Sequence, residues 1–133
     1  MPFHVKHAHQ QISFGGLPDR ILSRLRRCRP GDVGISSITL AELWHGVAKS
    51  RSPEGNGAAL EEFLLPLEVF DFGEAGAKAY GAVRASLEKA GTPIGAMDTL
   101  IAAHAVSLGA TIVTNNAREF RRVRLLNVVD WTR

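Results

Sequence analysis

Asp98 opens an apolar run, Gly95-Ala96-Met97-Asp98-Thr99-Leu100-Ile101-Ala102-Ala103-His104, and Glu42 stands in another, Ile38-Thr39-Leu40-Ala41-Glu42-Leu43. Downstream, Gly109 ends the first run and a β-branched stretch, Thr111-Ile112-Val113-Thr114, leads to the amide pair Asn115-Asn116. The pattern predicts Asp98 at a helix N-terminus and the two amides at the carboxyl end of a strand. In an open α/β sheet that edge is where ligands bind. Two acids and two amides converging there could hold a divalent cation. Such a cation lowers the pKa of a bound water and neutralises charge on a phosphodiester transition state. Mg2+ prefers hard oxygens and keeps several waters, so a few carboxylates suffice. Glu119, just past the amides, is the nearest further acid.

Each of these residues also fits a plainer role. Asp98 suits an ordinary N-cap, and Glu42 has capping-box spacing from Thr39. From residue types alone these are the commoner roles. Asn115 and Asn116 suit a turn, and Glu119 suits a solvated helix face. His104, on an apolar helix, reads as a satisfied buried histidine. His4, His7 and His9 lack the Cys or acid partners of a structural zinc site. Gly15-Gly16 lacks the strand and spacing of a dinucleotide fingerprint. No nucleophile elbow and no phosphate-binding Walker loop occurs. Trp44 and Trp131 read as packing residues.

The elements that must position these groups alternate along the chain. A helix is predicted from Pro18 to about Arg27, with Ile21, Leu22 and Leu25 on one face. Pro30-Gly31-Asp32 is a turn, Val33 to Ser36 a short buried strand, and a helix follows to about Lys49. Ser52 to Gly57 reads as a loop into a helix over Ala58 to Leu65, closed by Pro66. A strand covers Leu67 to Phe72. A long helix covers Glu74 to Lys89, with its apolar stripe at Ala77, Tyr80, Val83 and Leu87. After Gly91-Thr92-Pro93 come the Asp98 helix, a strand over Thr111 to Thr114, a helical turn at Arg118 to Phe120 and a strand at Asn127 to Val129. Helices between short apolar strands imply parallel pairing, hence an α/β fold in the form of a three-layer α/β/α sandwich. Residues 1–16 are atypical. Phe3, Val5, Ile12 and Phe14 give at most weak strand fragments, and the segment fits a disordered start that leaves a gap in the sheet.

The chain has 133 residues, which suits one domain, and 45% of them are hydrophobic. A chain of this length buries roughly 65–70% of its unfolded surface and needs no staple. Cys28 is the single cysteine, so no intrachain disulfide can form, and a cytoplasmic setting is expected. No apolar run approaches the roughly 20 residues of a membrane span, and no secretory signal is visible at the N-terminus. The net charge is +3. Its arginines fall in two clusters, Arg20, Arg24, Arg26, Arg27 and Arg29, then Arg118, Arg121, Arg122 and Arg124. Either could neutralise phosphates, form a solvated face, or dock an acidic protein partner.

Three ordered blocks resemble the PIN-domain ribonucleases in their VapC-type toxin branch. They are Pro30-Gly31-Asp32-Val33-Gly34-Ile35-Ser36-Ser37-Ile38-Thr39-Leu40-Ala41-Glu42-Leu43, then Gly95 to Ala105, then Val113-Thr114-Asn115-Asn116-Ala117-Arg118-Glu119-Phe120, with Val128-Val129-Asp130-Trp131 closing the chain. The resemblance covers Leu17 to Arg133. It implies a PIN fold, Mg2+ or Mn2+ as cofactor, homodimerisation, a VapB-type antitoxin as partner and RNA as substrate. The Thr-Asn-Asn ending implies cleavage of initiator tRNA. By the same resemblance Glu42 and Asp98 match acidic metal ligands, and the fourth acidic position falls at Asn116 or Glu119.

The opening departs from that family. Its first strand ends in Asp-Thr-Asn, and the Asp should fall near residue 7. His7 stands there, and no acid precedes Asp19. Length is kept while sequence is lost, which points to a shifted reading frame. Reading back-translated codons of His4 to Ser13 one base later permits Met-Leu-(Asn/Ser)-Thr-x-Ile-Ser-Arg-Tyr-Leu, without recovering the Asp. The alternative expectation is therefore a toxin remnant that dimerises or binds antitoxin without cleaving RNA.

Overall fold

Val33-Gly34-Ile35-Ser36 is buried along its whole length, as a strand covered on both faces must be. It is β2 of a five-stranded sheet in a computed structural model that describes residues 3–5 (backbone only), 33–114 and 116–130. The other strands are β1 (Phe3–Val5), β3 (Glu68–Phe70), β4 (Thr111–Val113) and β5 (Asn127–Val129). The order is β3-β2-β1-β4-β5, and every pairing is parallel. The helices are α1 (Ser37–Ala48), α2 (Pro53–Leu64), α3 (Gly73–Lys89), α4 (Ala96–Leu108) and the single turn α5 (Ala117–Phe120).

The chain walks from β1 through β2 to β3, then crosses back to lie on the other side of β1. Right-handed crossovers then require α1 and α2 on one face and α3, α4 and α5 on the other. Two separate apolar clusters match this. One joins Ile35 to Leu43, Val47 and Leu60. The larger joins Ile112 to Val83, Leu87, Ile101, Ala102, Phe120 and Leu126. Helix α4 buries seven of its thirteen residues, so it reads as apolar all round and is the inner helix of its layer. Gly109 ends it at φ +62°, a left-handed conformation natural to glycine.

The expected α/β sandwich with a short parallel sheet is present, and its strands at Val33–Ser36 and Asn127–Val129 fall where the sequence placed them. Several local expectations are corrected. Pro53 at the first helical position starts α2 early, so Pro53 to Gly57 is helix and not loop. On α3, Val83 and Leu87 are buried and Tyr80 packs against the same core, as the apolar stripe predicts, but Ala77 is exposed and Gly76 is buried in its place. The expected gap at the centre of the sheet is filled: Phe3–Val5 pairs with β2 at Phe3↔Val33 and with β4 at Val5↔Val113. The backbone supplies these bonds, so a weak side-chain pattern did not prevent them. The predicted helix over Pro18 to Arg27, the first arginine cluster, Cys28, Asn115 and Trp131 lie outside the described residues.

Candidate active site

The reversal of strand order beside β1 makes a crevice at the carboxyl ends of β1 and β4. Three elements deliver the singled-out residues to that edge. Helix α1 leaves β2 directly at Ser36–Ser37 and carries Glu42 on its second turn. Helix α4 runs antiparallel to β4, which follows it after Gly109, so its first turn with Asp98 lies at the same edge. The chain leaving β4 carries Thr114 and Asn116 and turns into α5, which holds Glu119.

Asp98 is buried and Glu42 half-buried. Asp98 is 6% exposed, and Glu42 Oε1 is closed off from solvent. Neither is a cap. The N-cap of α4 is Gly95, with Asp98 three residues in. The first turn still favours its charge, because the helix dipole and the open N–H groups lie there. Thr99 Oγ1 closes the turn by donating to the Gly95 carbonyl at 2.8 Å. For α1 the N-cap is Ser36, whose Oγ accepts from Ile38 N–H at 3.1 Å. Thr39 is a buried residue inside the helix, so the Thr39–Glu42 capping box does not form.

Asn116 and Glu119 are brought together. Asn116 N–H donates to Thr114 Oγ1 at 2.9 Å, and its Nδ2 donates to Glu119 Oε2 at 3.4 Å. The carboxylate thereby orients the amide. Arg118, Arg121, Arg122 and Arg124 are exposed on and just after this turn.

His104 is buried, as expected of it, but it also ties the site together. Its Nδ1 lies 2.8 Å from Ser36 Oγ, and Phe72 meets its ring edge-on at 5.5 Å. Phe72 N–H in turn donates to Ser37 Oγ at 3.2 Å. The Ser36-Ser37 pair therefore fastens the Glu42 helix to the Asp98 helix and to the β3–α3 corner. Burial pushes the imidazole below its usual range, while the Asp71 backbone and charge pull the other way. A Ser-Ser pair between strand and helix is a cap signature, and it was the signal by which this clamp could have been found.

Carboxylate oxygens are the donors a hard divalent cation prefers, and Mg2+ is commonly held by one or two of them plus water. Glu42 and Asp98 fit that pattern. Among the described residues no three His, Cys, Asp or Glu side chains converge on one metal position, so water would complete the shell.

The PIN-domain family model matches residues 16–126. This chain belongs to the PIN-domain family. The PIN chain is 47% identical over 102 residues to the tRNA(fMet)-specific endonuclease VapC of Shigella flexneri, covering 77% of each. It is 45% identical over 114 residues to a ribonuclease VapC of Haemophilus influenzae, covering 86% of each. Among solved structures, VapBC2 from Rickettsia felis bound to a fragment of its promoter DNA superposes with a TM-score of 0.90 at 37% identity, over 98% of this chain and 99% of that one. DNA-bound VapBC from Salmonella typhimurium gives 0.86 at 38%, over 97% and 98%. The PIN fold expected from the three sequence blocks is thus present.

Proposed function

We propose that this protein is a metal-dependent endoribonuclease, the toxin of a VapBC-type toxin–antitoxin pair, acting on tRNA and on initiator tRNA first. The observation that carries the proposal is the placing of two acids, the buried Asp98 and the half-buried Glu42, on helices that start at the carboxyl edge of the PIN sheet. The substrate is suggested by the Shigella relative named for tRNA(fMet). Glu42 and Asp98 would hold Mg2+ or Mn2+. The cation, when bound, supplies an ionised water and neutralises phosphate charge. Glu119 fixes the Asn116 amide at the rim, where it can hydrogen-bond a phosphate oxygen or an ordered water. Arg118 and Arg121 would engage flanking phosphates, a contact that weakens steeply with salt. In this reading the 133 residues form one cytoplasmic domain that dimerises with a second copy and is held by a VapB-type antitoxin. Among the described residues no helix is long and apolar enough to cross a membrane.

Purified tRNA, initiator tRNA included, tests the reading with Mg2+, an EDTA control and Asp98→Asn. Cleavage abolished by EDTA and by Asp98→Asn is expected. Cleavage that survives Asp98→Asn would remove that residue from the site.

One observation favours a second reading. Strand β1 occupies the centre of the sheet, yet no acid occurs in the sequence before Asp19. The carboxyl end of β1 is thus followed by Lys6-His7-Ala8, where the family resemblance expects an Asp. A folded sample that binds a VapB-type antitoxin but leaves every tRNA intact would establish a non-cleaving toxin remnant.

A further inference from the structure

A cavity of about 190 Å3 opens beside the N-terminus of α4, between that helix, α3 and the loop joining them. Resting on the RNA-cleaving reading, we propose that it receives one unpaired nucleobase of a bound RNA strand, beside the helix end that carries Asp98. The volume is below the 300–1,000 Å3 typical of drug-sized ligands and suits a single flat ring system. Leu87 and Ile94 give it apolar walls. Arg84 forms an oriented planar cation: it donates to Tyr80 Oη at 3.0 Å, lies 3.6 Å from Glu88 Oε2, and sits 6.0 Å from the Tyr80 ring centre. Guanidinium and aromatic planes are the surfaces on which splayed-out bases stack. Glu88 adds an acceptor for a ring N–H or an exocyclic amine.

Position and charge select this occupant. Thr99 lines the cavity and sits beside Asp98 on the first turn of α4, so the cavity opens at the helix end that carries the acid. Arg122 Nη1 donates to the Pro93 carbonyl at 2.9 Å on the same rim. Glu88 balances Arg84, so the exposed Arg122 guanidinium supplies the charge that favours a polyanion over a basic peptide. Arg122 also ties the loop to the turn that follows Glu119, which joins the cavity wall to the rest of the site.

Binding of a short single-stranded RNA in EDTA, followed by fluorescence anisotropy, tests the proposal without needing turnover. The same oligonucleotide with abasic positions is the comparison, and wild type is set beside Arg84→Ala and the cavity-filling Ile94→Trp. Wild type should prefer the base-bearing strand by about tenfold, as expected of one stacked base. Both variants should lose that preference while keeping salt-dependent binding to the abasic strand. Arg84 is exposed on α3, so its variant folds even where Ile94→Trp does not. A preference unchanged in Arg84→Ala, or absent from wild type that does bind RNA, overturns the cavity alone. Absence of any RNA binding both in EDTA and with Ca2+ in its place overturns the RNA-cleaving reading with it. Variants that keep the base preference but lose a VapB-type antitoxin would assign the cavity to a protein partner instead.

Discussion

At the scale of single residues, the decisive contacts are short hydroxyl bonds at the start of α1. Ser36 Oγ caps the helix and reaches the buried His104. Ser36→Ala removes a cap and leaves an imidazole nitrogen without its partner. It should cost about 2 kcal/mol in urea unfolding. Thr39→Ala is the informative contrast. The Thr39 hydroxyl is buried without a hydrogen-bond partner among the described residues, so its loss should stay within about 1 kcal/mol. Equal losses in the two variants would return the cap to Thr39. Glu42 and Asp98 were both legible as candidates because acids inside apolar runs are conspicuous. Their release from capping was not legible, since three neighbouring hydroxyls compete for one helix start and only the chain direction decides.

At the scale of elements, close approach sets what each strand tolerates. Gly34 in β2 faces β3 at Glu68. A Cβ there would collide with the Phe70 ring and lie 2.7 Å from the Glu68 carbonyl. Gly34→Ala should therefore destabilise the protein by about 1–3 kcal/mol, measured as a lowered urea midpoint. An unchanged midpoint would mean that β3 can move away without loss. Strands β2 and β5 were readable because they are short β-branched runs between turn signals. The start of α2 was not, because Ser-Pro-Glu-Gly-Asn-Gly carries turn residues throughout and only packing, with Gly57 against Trp44 and Val47, draws them into a helix.

At the scale of the whole molecule, His104 couples the fold to pH. Its imidazole is held below its ordinary value of 6.5, chiefly because burial disfavours the charged form. The unfolded chain therefore takes up the proton first. This contribution to stability is complete above pH 6.5 and is lost as pH falls from there through the folded value. Melting temperature should drop over that window in wild type and drop less in His104→Gln, where no proton is taken up. A matching drop in the variant would assign the effect to carboxylates instead. The strand crossing that seats β1 between β2 and β4 belongs to this scale too. It brings α1, α4 and the β4–α5 turn to one edge, although Glu42 and Asp98 are far apart in sequence.

Local pattern by itself determined the strand and helix types, the sandwich class, the family likeness and the acids worth testing, because periodicity and turn chemistry act over a few residues. Tertiary structure alone decided that Phe3–Val5 joins the sheet, since β2 and β4, far along the chain, supply its pairing partners. It alone decided that Ser36, the cap of α1, also meets a histidine 68 residues away, and that Arg84 and Thr99 line one cavity. Such pairings depend on how separated segments pack, which no local spacing records.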